Sequence, residues 1–120
     1  MIGDTSIYTL IKNEYVNTYF NRFDQSVDLV EATPKILIQN LSQSFTTTKD
    51  HTGRLENVYR IEVIGTVYVD VCSISEDIRQ MMINFTDNYI YLVEFSGSTF
   101  DTDEDIKIYR QILDFRVLIN

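Results

Sequence analysis

The alternation of apolar and polar residues between Val58 and Val71 constrains the fold of this chain more than any other feature. Apolar residues stand at every second position over most of this segment: Tyr59, Ile61, Val63, Val67, Val69 and Val71. Polar residues stand between them: Arg60, Glu62, Thr66 and Asp70. A period of two with many β-branched residues is typical of a strand that buries one face. The segment Val58–Val71 therefore predicts a half-buried strand, and the fold must contain a sheet.

Three other apolar segments complete the predicted sheet. Lys35–Phe45 predicts a strand, and the polar segment Thr46–Asn57 predicts the tip of a long antiparallel hairpin that joins it to the alternating strand. Tyr89–Phe95 and Ile106–Ile119 predict two more strands, and the polar segment Ser96–Asp105 predicts the loop between them.

Two segments carry the period of an amphipathic helix. Between Thr5 and Phe23, apolar residues recur at steps of three and four. The sequence from Ser73 to Glu76 fits a capping box, in which the two side chains bond each other's free backbone N–H groups. Apolar residues at helical spacing follow it, so the second predicted helix covers Ile74–Asp87.

The predicted order is helix, strand, strand, helix, strand, strand. We expect an α+β fold in which two amphipathic helices pack on one face of a mostly antiparallel four-stranded sheet. The length of 120 residues fits one domain, residues 1–120. Ile64 and Tyr68 stand among the polar residues of the other sheet face, which predicts burial against a partner. The alternatives are a loop folded over that face and a β-bulge that changes which side points inward.

Composition limits the classes of function. Ten basic and 18 acidic residues give a net charge of −8, which argues against a domain that grips nucleic-acid phosphates or anionic lipid. One Cys cannot form an internal disulfide, so we expect a reducing compartment or an assembly that needs no bridges. The start MIGDTSIYTL does not resemble a secretory signal, and no apolar run predicts a membrane span.

The sequence offers no catalytic set. His51, the only His, falls on the predicted hairpin tip, and Cys72 falls at the far end of the following strand, so the two are too far apart for a nucleophile pair. Phosphate-binding glycine motifs and the G-x-S-x-G motif are absent from the sequence. We therefore expect a protein that is not an enzyme and that needs no cofactor.

Three acids at alternate positions, Asp101, Asp103 and Asp105, have the spacing of a calcium loop. The rest of that motif fails, because Ile106 and Ile112 occupy the positions of the required Gly and Glu. We expect a solvated acidic loop with no metal, and a weak cation site is the alternative.

Three arginines, at positions 60, 110 and 116, fall on predicted strands. Cross-strand pairs of opposite charge stabilise a sheet. The candidate partners are three acids on predicted strands: Glu62, Asp70 and Asp114.

The overall pattern resembles the tail terminator, or tail completion, proteins of tailed bacteriophages. The resemblance is carried by features spread over nearly the whole chain, in this order: the amphipathic segment Ile7–Phe23, Pro34-Lys-Ile-Leu-Ile, the polar hairpin Phe45–Tyr59, the valine-rich strand, Ser73-Ile-Ser-Glu-Asp-Ile and Tyr109-Arg-Gln-Ile-Leu-Asp-Phe-Arg-Val. It is a resemblance of pattern and length, since the family has no diagnostic motif.

The resemblance implies a structural protein of the virion. Such proteins form a ring, usually of six subunits, that caps the tail tube, stops its growth and joins it to the connector proteins of the head. The implied partners are other copies of the chain, the tail tube protein and the head–tail connector proteins, with the tail sheath as a further candidate. DNA would only pass through the lumen, for which a negative charge is suitable. Assembly would take place in the host cytoplasm, and the final place would be the head–tail junction.

The hairpin tip and the acidic loop would then reach axial neighbours, and the spare sheet surface would bury against neighbouring subunits. The candidate interface residues are Thr47, Lys49, Asp50, His51, Arg54, Ile64, Tyr68, Asp101, Asp103 and Asp105.

Two other classes of function stay open from the sequence. Within the virion, the alternatives are a tail tube subunit and a connector stopper. Outside it, the alternative is a small acidic module that binds proteins, for example by imitating the charge of DNA. An enzyme or a cation-dependent binder that uses Asp101, Asp103 and Asp105 is the remaining possibility.

Overall fold

The computed structural model describes residues 3–23, 33–47, 53–105 and 107–119. These residues form two helices and five strands, with the bounds α1 Asp4–Glu14, β1 Thr18–Phe20, β2 Lys35–Thr47, β3 Gly53–Gly65, α2 Tyr68–Ile83, β4 Ile90–Asp103 and β5 Ile108–Ile119. The strands make one sheet in the order β1-β2-β3-β5-β4. β1 lies parallel to β2, and every other neighbouring pair is antiparallel. The α+β class and the two helices are confirmed, whereas the prediction of four strands is wrong.

The core lies between the helices and one face of the sheet. Its fully buried side chains come from both helices and from four strands: Ile7, Ile11, Ile36, Ile38, Tyr59, Ile61, Val63, Val71, Ile78, Met82, Ile90, Phe115, Val117 and Ile119. The cross-strand pairs Ile38↔Ile61 and Ile61↔Leu113 place these strand residues on a common face. We call this the inner face of the sheet, and the opposite face, away from the helices, the outer face.

The first helix is shorter than predicted. It ends at Glu14 instead of Phe23, and Thr18–Phe20 form a strand that pairs with Ile36–Ile38 of β2. The backbone N–H of Ile36 donates to the carbonyl of Asn17 at 3.0 Å. Aromatic and β-branched residues after the helix favour an extended chain, and pairing with β2 satisfies their backbone groups.

Strand β3 ends at Gly65, so the predicted strand Val58–Val71 extends too far at its C-terminal end. Helix α2 begins at Tyr68, with Val67 rather than Ser73 as its N-cap residue. Val67 and Val71 fit both a period of two and a helical step of four, and Val71 is fully buried in the helix. Gly65 allows α2 to lie close to the end of β3, because a Cβ at this position would lie only 3.1 Å from Cγ2 of Val71.

The β2–β3 hairpin is confirmed, with paired residues from Lys35↔Ile64 to Thr47↔Gly53. Its predicted tip, Thr46–Asn57, is too wide, because β3 already begins at Gly53. The backbone pairing with β2 on one side supports the polar start of this strand.

The predicted loop Ser96–Asp105 is wrong over most of its length. The predicted strand Tyr89–Phe95 continues as β4 to Asp103, and β4 pairs with β5 as far as Asp103↔Ile108. The polar side chains of this half of β4 are exposed, so its extended conformation depends on backbone pairing instead of burial.

Candidate interface surfaces

The two sets of predicted interface residues lie at opposite ends of the sheet. β3 and β5 are antiparallel, with Leu55 opposite Ile119 and Gly65 opposite Tyr109. The β2–β3 hairpin therefore projects past the end of β5, and the acidic turn between β4 and β5 lies at the other end. The long dimension of the described chain is 53 Å, so the described end of the hairpin, Thr47 and Gly53, and the acidic turn cannot form one site.

The described residues include only part of the hairpin set. Thr47 and Arg54 lie on β2 and β3, where Thr47 pairs with Gly53 and Thr46 with Arg54. Three further predicted interface residues, Lys49, Asp50 and His51, lie outside the described residues.

Arg60 and Arg110 make cross-strand ion pairs on the outer face. Nε of Arg60 lies 2.9 Å from Oδ1 of Asp114 on β5. Arg110 lies 2.5 Å from a carboxylate oxygen of Asp101 on β4 and 4.0 Å from one of Glu62 on β3. Two of the three candidate acids, Asp114 and Glu62, therefore pair with strand arginines.

Arg116 joins three strands on the same face. Its Nε donates to Oε1 of Glu56 on β3 at 2.6 Å, and its Nη1 donates to Oε2 of Glu94 on β4 at 3.0 Å. The hydrogen bond from Arg116 holds the pKa of Glu56 below its ordinary value, and the two carboxylates raise the pKa of Arg116. The outer face over β3, β5 and β4 therefore carries an ionic network in which each of the three arginines pairs with carboxylates, and the five carboxylates outnumber the arginines by two. The third acid proposed as a partner, Asp70, lies in helix α2 instead of on a strand.

Ile64 and Tyr68 do not share a sheet face. Ile64 lies on the outer face but is only 5% exposed, so its side chain is already covered within the chain. Tyr68 begins α2 on the inner side and is 52% exposed. Its ring packs edge-on against Phe100 and Tyr109, with centroid distances of 5.3 and 5.7 Å.

The acidic turn borders a cavity of about 540 Å³ on the outer face, with Ile64 and Ile108 among its lining residues. Within the turn, the backbone N–H of Asp105 donates to Oδ1 of Asp103 at 3.1 Å, while Asp101 pairs with Arg110. Over residues 3–23, 33–47, 53–105 and 107–119, no three His, Cys, Asp or Glu side chains are grouped so that they could hold a metal ion.

Cys72 lies in helix α2 and is partly buried. A side-chain hydrogen bond between Cys72 and Tyr68 is the largest cause of a raised pKa of the Tyr68 phenol. Cys72 is therefore part of the surface around Tyr68.

Strand β4 and its surroundings carry an exposed aromatic surface that the sequence interpretation did not find. Its members are Tyr68, Tyr89, Tyr91, Leu92, Phe95 and Phe100, each 37–58% exposed, and we call them the β4 aromatic surface. The guanidinium of Arg79 lies 5.7 Å from the ring centroid of Phe95. Phe100, the one aromatic residue of the predicted loop, was a signal, but the common location of these residues depends on β4 being an edge strand. Neither described helix has the length and apolar character that crossing a membrane requires.

Comparison with known proteins shows the fold. No protein-family model matches the chain, and no curated protein matches it. A chain in the solved structure described as "Virion of native gene transfer agent (GTA) particle" is similar, with a TM-score of 0.61 at 11% identity. The alignment covers 98% of this chain and 86% of that one. The class defined by these findings is a two-helix α+β domain with the fold of a virion-particle component.

Proposed function

We propose that this chain is a structural protein of a virion. The observation that carries the proposal is the similarity in fold to a component of a gene transfer agent virion, which extends over 98% of the chain. Proteins of a virion act by binding one another, and the β4 aromatic surface is an exposed apolar surface of the kind that marks protein–protein contacts. The proposal assigns no catalytic step and no cofactor to the chain.

Within the virion, we propose the role of a tail terminator: a six-subunit ring that caps the tail tube, stops its growth and joins it to the connector proteins of the head. The resemblance of the whole sequence pattern to that family supports this role. The shape of the subunit suits it as well, since an elongated sheet can contact one axial neighbour at each end while its sides contact other subunits.

The net charge of −8 is suitable for a ring through which DNA passes without binding tightly. Arg60, Arg110 and Arg116 do not form a positive patch that could hold DNA, because each of them pairs with carboxylates on the outer face. The proposed place is the head–tail junction, and the proposed partners are the tail tube, the connector and, in a contractile tail, the sheath.

The direct test is tube capping. Tail tube protein is polymerised with and without this chain, and the tubes are measured by negative-stain electron microscopy. We expect the chain to bind at tube ends and to stop elongation at substoichiometric amounts. Tubes that grow to the same lengths, with no density added at their ends, would contradict the terminator role.

A tail tube subunit is the second candidate. The observation that favours it is that, among the described residues, β4 is an edge strand and β1 pairs with β2 only at Ile36–Ile38, because open sheet edges allow repeated association. The two roles differ in the assembly formed by the purified chain, since a tube subunit gives filaments and a terminator gives closed rings.

A further inference from the structure

Strand β4 has an open edge. It pairs with β5 on one side, and among the described residues no strand pairs with its other side. After the irregularity at Phe95/Gly97, the pairing is regular from Gly97 to Asp103, so this half of the strand is well ordered for further pairing. Outward N–H and C=O groups of such an edge bond to any extended chain laid beside it. We call this side of β4 the β4 edge.

The other edge strand is blocked. β1 has only three residues, and Nζ of Lys12 donates to the carbonyls of Val16 and Thr18 beside it, at 2.5 and 3.4 Å. A Lys at an edge strand is a common protection against pairing with another chain. In contrast, Ile90–Asp103 contains no Lys, Arg or Pro.

The surroundings of β4 are also the most apolar part of the described surface. Six of the ten exposed large hydrophobic residues belong to the β4 aromatic surface. At roughly 200 Å² for a fully exposed large side chain, their exposed fractions correspond to roughly 500 Å². Leu92 pairs with Leu118 and Phe95 with Phe115, which places the two side chains on opposite faces of β4, so this apolar area flanks the β4 edge on both sides.

A second open edge lies on the opposite side of the same sheet. β1 pairs with β2 only at Ile36–Ile38. The pairing of β2 with β3 is irregular between Asn40 and Ser42 and regular from Ser42 to Thr47, and among the described residues no strand pairs with the other side of β2 beyond Asn40. The side chains of Leu41–Ser44 are exposed. We call this side of residues 41–47 the β2 edge.

Charge distinguishes the possible partners of the β4 edge. β4 carries Glu94, Asp101 and Asp103 with no basic residue. Arg116 and Arg110 of β5 pair with Glu94 and Asp101, but the ionic network of the outer face keeps two more carboxylates than arginines, so pairing of two β4 edges would bring two negatively charged surfaces together. Residues 41–47 of β2 contain no charged residue, so the β2 edge accepts an acidic strand without repulsion.

We infer that the β4 edge of one copy of this chain pairs with the β2 edge of a second copy, which continues the sheet from subunit to subunit. Because the two edges differ, the interface is head-to-tail, and such interfaces close into rings or extend into filaments. That these interfaces close into a ring instead of extending into a filament rests on the proposed function.

The test uses one Lys substitution on each edge and a matched control. Phe100→Lys places a charge in the β4 aromatic surface, and Leu41→Lys places one at the β2 edge; Val16→Lys is the control, since Val16 is 73% exposed and lies on neither edge. Tyr91→Lys is a second β4 variant in case the loss of Phe100 disturbs the fold, which circular dichroism reports. We expect each edge variant to weaken self-association about tenfold or more and the control to leave it unchanged.

Mixing the two edge variants gives the sharpest result. A Phe100→Lys chain keeps an intact β2 edge, and a Leu41→Lys chain keeps an intact β4 edge, so the mixture has one productive interface. We expect each variant to be monomeric alone and the mixture to give a one-to-one dimer by native mass spectrometry. Folded variants that assemble like the wild type, or a mixture that stays monomeric, would overturn the inference.

The behaviour of the wild-type chain distinguishes a failure of this inference from a failure of the proposed function. If wild-type rings form and cap tubes while the folded edge variants also form rings, the inference fails and the proposed function stands. If the wild-type chain stays monomeric with and without tail tubes, both fail.

Discussion

The Tyr59 hydroxyl donates a 2.5 Å hydrogen bond to Oδ1 of Asp4 and so joins the centre of the sheet to the first residue of helix α1. Asn57 donates to the same hydroxyl at 2.8 Å, and Asn40 donates to the same Asp4 oxygen at 3.0 Å. Tyr59 is fully buried, so this polar cluster fixes the start of α1 over the edge of the core.

Replacing Tyr59 by Phe keeps the ring and removes the hydroxyl. We expect the free energy of unfolding to fall by about 2 kcal/mol, because a buried hydrogen bond to a carboxylate is lost. Urea unfolding measures the change, with Tyr89→Phe at an exposed position as the control. A loss no larger than that of the control would contradict the proposed importance of this cluster.

Stability should decline at alkaline pH through two tyrosines. Burial, followed by the hydrogen bond to Asp4, raises the pKa of Tyr59 above its ordinary value of 10.0. Burial, followed by the hydrogen bond to Asp77, also raises the pKa of Tyr15 above its ordinary value. A raised pKa in the folded state means that stability is complete below pH 10 and is lost as the pH rises above it.

The double variant Tyr15→Phe/Tyr59→Phe tests this effect. Although it is less stable at neutral pH, its free energy of unfolding should depend less on pH above 10 than that of the wild type. Denaturant unfolding at several alkaline pH values measures the slope. Equal slopes in the two proteins would contradict the assignment.

Arg116→Gln should change the titration of Glu56. Because the hydrogen bond from Arg116 lowers the pKa of Glu56 from 4.5, the bond stabilises the fold above this pH, and its contribution is lost as the pH falls through the lowered value. In the variant, we expect the pKa of Glu56 to rise toward 4.5 and the free energy of unfolding to depend less on pH in the acidic range. NMR titration of the Glu56 carboxyl measures the shift, and an unchanged pKa would show that another group causes it.

Gly3→Ala tests how closely the start of α1 approaches the core. Gly3 has a φ of +94°, and a Cβ there would lie 2.8 Å from Cδ1 of Ile119. We expect a loss of stability of about 1–3 kcal/mol from the left-handed backbone and the close contact. Thr5→Ala, at an exposed position of the same helix, is the control. Equal stability of the two variants would show that the start of the helix shifts without cost.

Local periodicity correctly predicted the segments whose pattern fits only one type of secondary structure. The helical spacing of Ile7 and Ile11 and the alternation of Tyr59, Ile61 and Val63 both correspond to observed elements. Val67 and Val71 satisfied two periods, so the sequence alone could not place the end of β3.

Other elements depend on partners that are distant in sequence. Thr18–Phe20 is a strand because Ile36–Ile38 lies beside it, and Ser96–Asp103 is a strand because β5 lies beside it. Neither pairing leaves a local signal in such short or polar segments. The β4 aromatic surface was missed for the same reason, since its position on an open edge follows from the order of the strands.

The mass of the assembly in solution tests the central claim most directly. Light scattering over a concentration series, with negative-stain images of the same samples and of samples mixed with tail tubes, gives mass and shape together. Six copies of the 14.1 kDa chain weigh about 85 kDa, and the account predicts a closed ring of this mass, free or at tube ends. A 14.1 kDa monomer at every concentration that leaves tube ends bare would contradict it.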